Sequence, residues 1–168
     1  MKTTVLKFGL YGLLTGLVLF AIAFLLLQSM SYSAQEVLGY ASMLVSLSFV
    51  FFGIKHFRDK ENDGKVTFGK AFLVGLLITI LTGIGVGIMD YLYTTVINPD
   101  FAQEYLSKSL ETMQAQLPAE QFEAQKALLE QQMKEYGGSG FMAFLMFATV
   151  FFMGLIVSVI SSLILQRK

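Results

Sequence analysis

Four long runs without a charged residue constrain this chain more than any other feature of its sequence. The runs cover residues 8–27, 37–54, 71–89 and 141–165, with lengths of 20, 18, 19 and 25 residues. A helix needs about 20 apolar residues, within a range of about 17–25, to cross the hydrocarbon core of a bilayer. All four runs meet this requirement, and the sequence therefore predicts four transmembrane helices.

The composition favours the same class of protein. Of the 168 residues, 55% are hydrophobic and 14% are charged, whereas soluble domains carry about 25% charged residues. The chain has no cysteine and a single histidine, His56, which excludes disulfides, cysteine nucleophiles and histidine metal clusters within one chain. The first apolar run exceeds the 7–15 residues of a signal-peptide core, so we expect a retained first span, with cleavage as the alternative.

We predict an all-α integral membrane protein that forms one membrane domain over residues 1–168. The predicted spans cover about 8–28, 37–55, 71–96 and 140–165, and both termini are cytoplasmic. An extracytoplasmic helical hairpin at about 98–137 connects the third span to the fourth.

The distribution of basic residues supports this orientation, because basic residues in short loops stay on the cytoplasmic side. Nine of the twelve lysines and arginines lie at the two termini and in the second loop. The third loop carries three lysines and seven acidic residues, which leaves a net charge of −4 and fits an outer face. The second loop is expected to anchor the chain at anionic headgroups through Lys55, Arg58, Lys60, Lys65 and Lys70.

The second loop also contains acidic residues at a spacing similar to the start of a calcium-binding loop. Asp59, Glu61 and Asp63 precede Gly64, but a calcium loop requires a glutamate at its twelfth position. That position is occupied by Lys70, a cation. We therefore interpret the segment around Asn62–Gly64 as a polar turn.

The same region resembles the domain-of-unknown-function 4199 family of small bacterial membrane proteins, found mostly in Bacteroidetes. The most specific stretch is FFGIKHFRDKENDGKVTFGKAF, from Phe51 to Phe72, and the resemblance extends over nearly the whole chain. It implies a four-span fold and a location in the bacterial inner membrane. It implies no activity.

The third loop contains two predicted helices. Asn98 and Pro99 are typical of a helix start, with Asn98 as the cap, and Pro118 opens a second helix. Apolar residues recur at helical spacing along both. The stripes are Ala102, Leu106, Leu110, Met113 and Leu117 in the first helix, and Phe122, Leu129, Met133 and Tyr136 in the second. The stripes either pack only on each other, or the hairpin also binds a partner protein through its exposed faces.

Small residues recur in all four apolar runs, where they allow helix backbones to approach closely. We predict helix-packing roles for Gly12, Gly16, Gly83, Gly87, Gly154 and Ser158. This pattern favours packing within one chain over a homo-oligomer, which stays an alternative.

Asp90 is the one acidic residue within a continuous apolar region. At 1.5 Å per residue it lies about 27 Å along the helix from Phe72, near the outer interface and beside Tyr91 and Tyr93. We interpret it as an interfacial structural residue. A proton or ion site is the alternative, because an ionisable residue inside a span often has a function.

No enzyme motif accompanies these features: the sequence contains no HExxH, no GxSxG and no phosphate-binding glycine loop. We expect a non-enzymatic partner-binding or scaffold protein, without catalytic residues, metal site or cofactor. The alternative is a small oligomeric transporter or channel that uses Asp90. The expected partners are the lipid bilayer, a protein bound through residues 98–137 and a second copy of the chain, but not nucleic acid.

Overall fold

The structure, a computed structural model, describes residues 1–27 and 32–167, which form six α-helices. The helices are α1 (Lys2–Leu27), α2 (Tyr32–His56), α3 (Phe68–Leu92), α4 (Phe101–Gln116), α5 (Ala119–Tyr136) and α6 (Ser139–Leu165). Short π-helical segments, Phe57–Glu61 and Tyr93–Ile97, follow α2 and α3. No β-strand occurs in these two stretches of chain, so the predicted all-α class is confirmed.

Four helical stretches are long and apolar enough to cross a membrane. They are Lys2–Ile22, Val37–Glu61, Phe68–Ile97 and Ser139–Leu165, with mean hydropathies between 2.0 and 2.5. These lengths and compositions are consistent with a membrane protein and with the number of predicted spans. The predicted end of the first span, residue 28, lies outside the described residues, and the sidedness of the loops stays a prediction.

The chain divides into two compact units. The bundle unit comprises Met1–Val86 and Met146–Lys168. Within it α1 packs along α2, and apolar side chains of α2, α3 and α6 form a core. Its most deeply buried members, all at most 1% exposed, are Leu47, Val50, Ile54, Val66, Ala71, Val74, Ile78 and Val150. Buried hydroxyl side chains accompany this core, among them Thr4, Ser46, Thr79, Thr82, Ser158 and Ser162.

The hairpin unit comprises Gly87–Leu145 and contains α4 and α5, which pack on each other. The two helices predicted in this region are therefore present. Neither contains a fully buried residue. The predicted stripes are their half-buried faces, except that Tyr136 is 49% exposed.

The prediction that Asn98 caps α4 is wrong. The helix begins at Phe101, and Asp100 precedes it without a capping side-chain bond. The backbone N–H of Phe101 donates to the carbonyl oxygen of Asn98 at 3.2 Å, which closes a turn before the helix starts. The Asn98 side chain instead donates to Glu104 Oε2 at 3.0 Å.

Candidate functional site

Asp90 lies near the C-terminal end of α3, and its side chain is buried, with 7% exposure. Its Oδ2 atom has no hydrogen-bond partner among the described residues. One turn later, the hydroxyl of Thr94 donates to the backbone oxygen of Asp90 at 3.0 Å. Thr94 is also buried and belongs to the π-helical segment that follows α3. The backbone oxygen of Asp90 thus accepts a hydrogen bond, whereas its Oδ2 atom accepts none from the described residues.

An unpaired buried carboxylate is costly, because nothing replaces the water that the charged form loses. Such a group becomes favourable when it takes up a proton or meets a cation. In the part of the chain that the structure describes, no three His, Cys, Asp or Glu side chains lie close enough to hold a metal ion. The chemistry of this site is that of an isolated carboxylate, which can accept and release one proton.

A second polar cluster joins the start of α1 to the end of α2. Thr4, which is fully buried, donates its hydroxyl proton to Glu61 Oε1 at 2.5 Å. The same hydroxyl oxygen lies 3.1 Å from His56 Nδ1. Because a threonine hydroxyl has only one proton, His56 must donate from Nδ1 to Thr4. The amino group of Met1 contacts the other carboxylate oxygen of Glu61.

The sequence does not predict this cluster. Its members are 52 and 57 residues apart, and nothing near Thr4 in the sequence signals a partner. The signal that could have been used is that Thr4, His56 and Glu61 all flank apolar runs at the same predicted membrane face.

The second loop forms the predicted turn. Asp63 and Gly64 adopt positive φ angles of 50° and 76°, and the Asn62 side chain donates to the Lys65 carbonyl at 2.5 Å. Immediately after the turn, Val66 and Arg167 exchange two backbone hydrogen bonds, of 2.9 and 2.8 Å. Together with the Thr4 cluster, these contacts bring the start of α1, the second loop and the end of α6 to one end of the bundle unit.

The five predicted anchoring residues lie at this end. Lys55, Lys60, Lys65 and Lys70 are exposed. Arg58 is half-buried and forms an ion pair with Asp59, with Nε 2.6 Å from Oδ1. Its guanidinium also lies 3.4 Å from the carbonyl oxygen of Leu165.

The predicted packing glycines of α1 lie where α1 meets its neighbours. A Cβ atom on Gly12 would overlap the Thr82 hydroxyl and lie 3.2 Å from the Ser46 carbonyl oxygen. On Gly16 it would lie 3.3 Å from Val86 Cγ2 and 3.4 Å from the Ser46 hydroxyl. Both positions therefore face α2 and α3.

The remaining packing positions lie on α3 and α6. A Cβ on Gly83 would lie 3.0 Å from the Phe147 ring, and one on Gly154 would lie 2.6 Å from the Thr79 hydroxyl. Ser158 is fully buried, donates to the Gly154 carbonyl at 2.7 Å and lies 3.4 Å from the Thr79 hydroxyl. Gly87 is buried in the hairpin unit.

A family model described as "Protein of unknown function (DUF4199)" matches residues 7–167, all but seven residues of the chain. Neither a curated protein nor a solved structure matches.

Proposed function

We propose a function from the premise that this chain belongs to the DUF4199 family of proteins of unknown function, as its sequence resemblance predicted. It is a multi-pass protein of the bacterial inner membrane and not an enzyme. It binds a protein partner through α4 and α5, and so acts as a scaffold or assembly factor. The observation that carries this proposal is the hairpin, whose two apolar stripes pack together without burying any residue fully.

The surface of the bundle unit supports membrane insertion. Large apolar side chains are exposed on it, such as Val18 at 56%, Phe152 at 65% and Ile164 at 65%. Its interior holds glycine and hydroxyl residues, which are enriched where helices pack within lipid. In water this distribution would be unfavourable, whereas in a bilayer it is expected.

The orientation proposal has a direct test, because the chain contains no cysteine. Lys60 and Gln121 are both exposed, and each can be replaced by a single cysteine. A membrane-impermeant maleimide applied to intact spheroplasts should label Gln121→Cys, and should label Lys60→Cys only after lysis. The opposite pattern would invert the proposed topology.

The exposed surface of the hairpin supports partner binding. Tyr105 and Leu128 lie outside the half-buried stripes and are 39% and 53% exposed. The loop that contains them carries a net charge of −4, with seven acidic residues against three lysines. Exposed apolar side chains on helices that carry this many acidic residues suit a partner that combines basic and apolar contact residues.

The first experiment is a cross-linked pull-down of the tagged protein from native membranes, followed by mass spectrometry. A partner with a basic surface should be recovered, and it should be lost when residues 100–135 are replaced by a short linker. Leu128→Gln should reduce recovery at least fivefold without loss of folded protein, whereas Gln121→Ala, an exposed polar site on α5, should not. Recovery of only the chain itself would refute the proposal and favour a homo-oligomer.

Asp90 favours a second candidate function, a small transporter or channel. The supporting observation is the buried carboxylate oxygen without a partner in the described chain. The hydroxyls of the bundle argue the other way: those of Ser46, Thr82 and Ser162 donate to carbonyls of their own helices and are not free to line a polar path. Packing, and not conduction, is the role that these bonds favour.

The two candidates differ in their response to Asp90→Asn. In liposomes loaded with a pH-sensitive dye, the transporter function requires that Asp90→Asn abolish flux while Asp100→Asn, at an exposed position, leaves it intact. The scaffold function predicts no flux from either protein and unchanged partner recovery. If Asp90→Asn caused a defect as strong as deletion of the gene, the transporter function would be preferred over the scaffold function.

A further inference from the structure

One end of the bundle unit carries an open cavity of about 390 Å³. The cavity is lined by Val66, Thr67, Phe68, Gly69, Gln166 and Arg167. Two of these lining residues, Val66 and Arg167, are joined by two backbone hydrogen bonds, which fasten Arg167 to the segment before α3. Arg167 is thus held at the cavity by its backbone, and its guanidinium has no ion-pair partner in residues 1–27 and 32–167.

One cation lines this cavity, Arg167, and two more flank the lining segment in the sequence. Lys65 and Lys70 stand on either side of the lining segment and are exposed. Asp59 pairs with Arg58 at 2.6 Å, and the Arg58 bond and, more weakly, the charges of Lys55 and Arg167 lower the pKa of Asp59. Glu61 accepts from Thr4 at 2.5 Å. Asp59, Glu61 and Asp63 are all exposed, but the first two have bonded partners. By contrast, Arg167, Lys65 and Lys70 have no ion-pair partner within residues 1–27 and 32–167.

The other wall of the cavity is apolar. Phe68 is 37% exposed, and its ring stacks on that of Phe72 with centroids 6.0 Å apart and planes 10° from parallel. A cation beside the exposed Phe68 ring, which stacks on the half-buried Phe72, suits a molecule with an anionic head and an apolar tail. Neither wall alone would select such a molecule over a simple anion or a purely apolar one. Inorganic phosphate would contact the cation but not the aromatic wall.

We propose that this cavity binds one anionic phospholipid, with its phosphate at Arg167, Lys65 and Lys70 and its acyl chain along Phe68 and Phe72. Basic pockets at the membrane face of helical proteins bind lipid headgroups in this way. This inference goes beyond partner binding and rests only on membrane insertion. Insertion is tested separately, by resistance of the protein to alkaline extraction from membranes.

The test is a titration of the full-length protein in detergent with phosphatidylglycerol, with bound lipid counted by native mass spectrometry. Each basic residue near a membrane surface contributes about 1 kcal/mol, which corresponds to about fivefold in affinity. Arg167→Gln should therefore weaken phosphatidylglycerol binding about fivefold, and Arg167→Gln with Lys70→Gln about 25-fold. The bonds to Val66 are made by the backbone, so these variants should keep the thermal midpoint of the parent protein without lipid.

Two controls make the proposal refutable. Lys134→Gln, at an exposed position of α5, should bind phosphatidylglycerol like the parent protein, and phosphatidylcholine should bind more weakly than phosphatidylglycerol to both. Equal affinity for the two lipids, or an equal loss in Lys134→Gln and Arg167→Gln, would refute the site. A further outcome would be that millimolar inorganic phosphate displaces the lipid and raises the thermal midpoint as much as phosphatidylglycerol does. In that case the ligand would be a soluble phosphate and the lipid assignment would be wrong.

Discussion

The bundle unit and the α4–α5 pair of the hairpin unit are both built from α-helices, but they distribute apolar side chains in opposite ways. In the bundle unit the exposed surface includes large apolar residues such as Phe152 and Ile164, while hydroxyl groups such as those of Thr4, Ser46 and Ser158 are fully buried or nearly so. In α4 and α5 every charged residue except the half-buried Lys126 is exposed, and the apolar stripes are the half-buried faces.

With the proposed membrane insertion, two kinds of interaction would hold these helices together. A hairpin in water is stabilised by removing apolar area from solvent, at about 25 cal/mol per Å². Helices in lipid gain little from apolar burial, because lipid tails are as apolar as leucine, and close approach at small residues takes over. The same substitution should therefore have different consequences in the two units, which allows the comparison to be tested.

The largest contrast is expected for a charge at an exposed apolar site. Phe152 lies near the middle of α6 and is 65% exposed, and Leu128 on α5 is 53% exposed. A lysine near the centre of a span costs about 2.5–3.5 kcal/mol of insertion free energy, whereas a surface substitution in water costs about 0.5 kcal/mol or less. Phe152→Lys should lower the membrane-inserted fraction in a glycosylation-based insertion assay. Leu128→Lys should leave it unchanged, and equal effects would show that both surfaces face the same solvent.

The next contrast concerns glycine. A Cβ on Gly154 would overlap Thr79, whose buried, β-branched side chain cannot rotate away easily, and would lie 2.9 Å from Leu47. Overpacking of this kind costs about 1–3 kcal/mol, so Gly154→Ala should lower the thermal midpoint in detergent. Gly140 has open space around its Cβ position, and Gly140→Ala in the same helix should leave the midpoint unchanged or raise it. A neutral Gly154→Ala would contradict the close packing of α6 on α3.

The Thr4 cluster predicts a smaller loss. Thr4→Val keeps the shape of the side chain but leaves His56 Nδ1 without its acceptor and Glu61 Oε1 without its Thr4 donor. Glu61 Oε2 keeps the Met1 amino group. The expected cost is about 1–2 kcal/mol, since partners of a removed buried hydroxyl become unsatisfied. Chemical denaturation of the purified protein measures it. Thr3→Val, at the exposed neighbouring position, serves as the control, and equal stability of the two variants would mean that the cluster does not hold α1 to the second loop.

The smallest effects are expected within the hairpin. Leu129 lies on the half-buried stripe of α5, and its neighbour Leu128 is exposed. Leu129→Ala should cost about 1 kcal/mol, less than the 2–5 kcal/mol of a fully buried leucine, and Leu128→Ala about 0.5 kcal/mol or less. Hydrogen exchange of the α4 and α5 amides would detect the difference. A larger loss of stability in Leu128→Ala than in Leu129→Ala would mean that the packed face of α5 contains Leu128 and not Leu129.

Much of the fold could be predicted from the sequence. Uncharged runs of 18 residues or more indicate long apolar helices whatever surrounds them, and the spacing of Leu106, Leu110 and Met113 indicates an amphipathic one. The start of α4 could not be placed, because the turn from Asn98 to Phe101 competes with helix initiation. The π-helical segments after α2 and α3 also escaped prediction, since no residue pattern marks the change from one hydrogen-bonding register to another.

For the candidate site, the sequence predicted which residue to consider but not its surroundings. Asp90 stands out in the sequence as the single acid of an apolar region. Its burial and the missing partner of its Oδ2 atom depend on how α3 is rotated about its axis. An evenly apolar helix has no amphipathic face that would reveal this rotation.

The sequence by itself determined the four long apolar helices, the acidic hairpin and the concentration of basic residues at the termini and the second loop, because these are properties of composition and local spacing. Only the tertiary structure decided which glycines meet a neighbour and which lie in open space. It alone joined Thr4 to Glu61 and Val66 to Arg167. Contacts between residues so far apart in sequence follow from helix rotation and close packing, which no local pattern along an evenly apolar chain specifies.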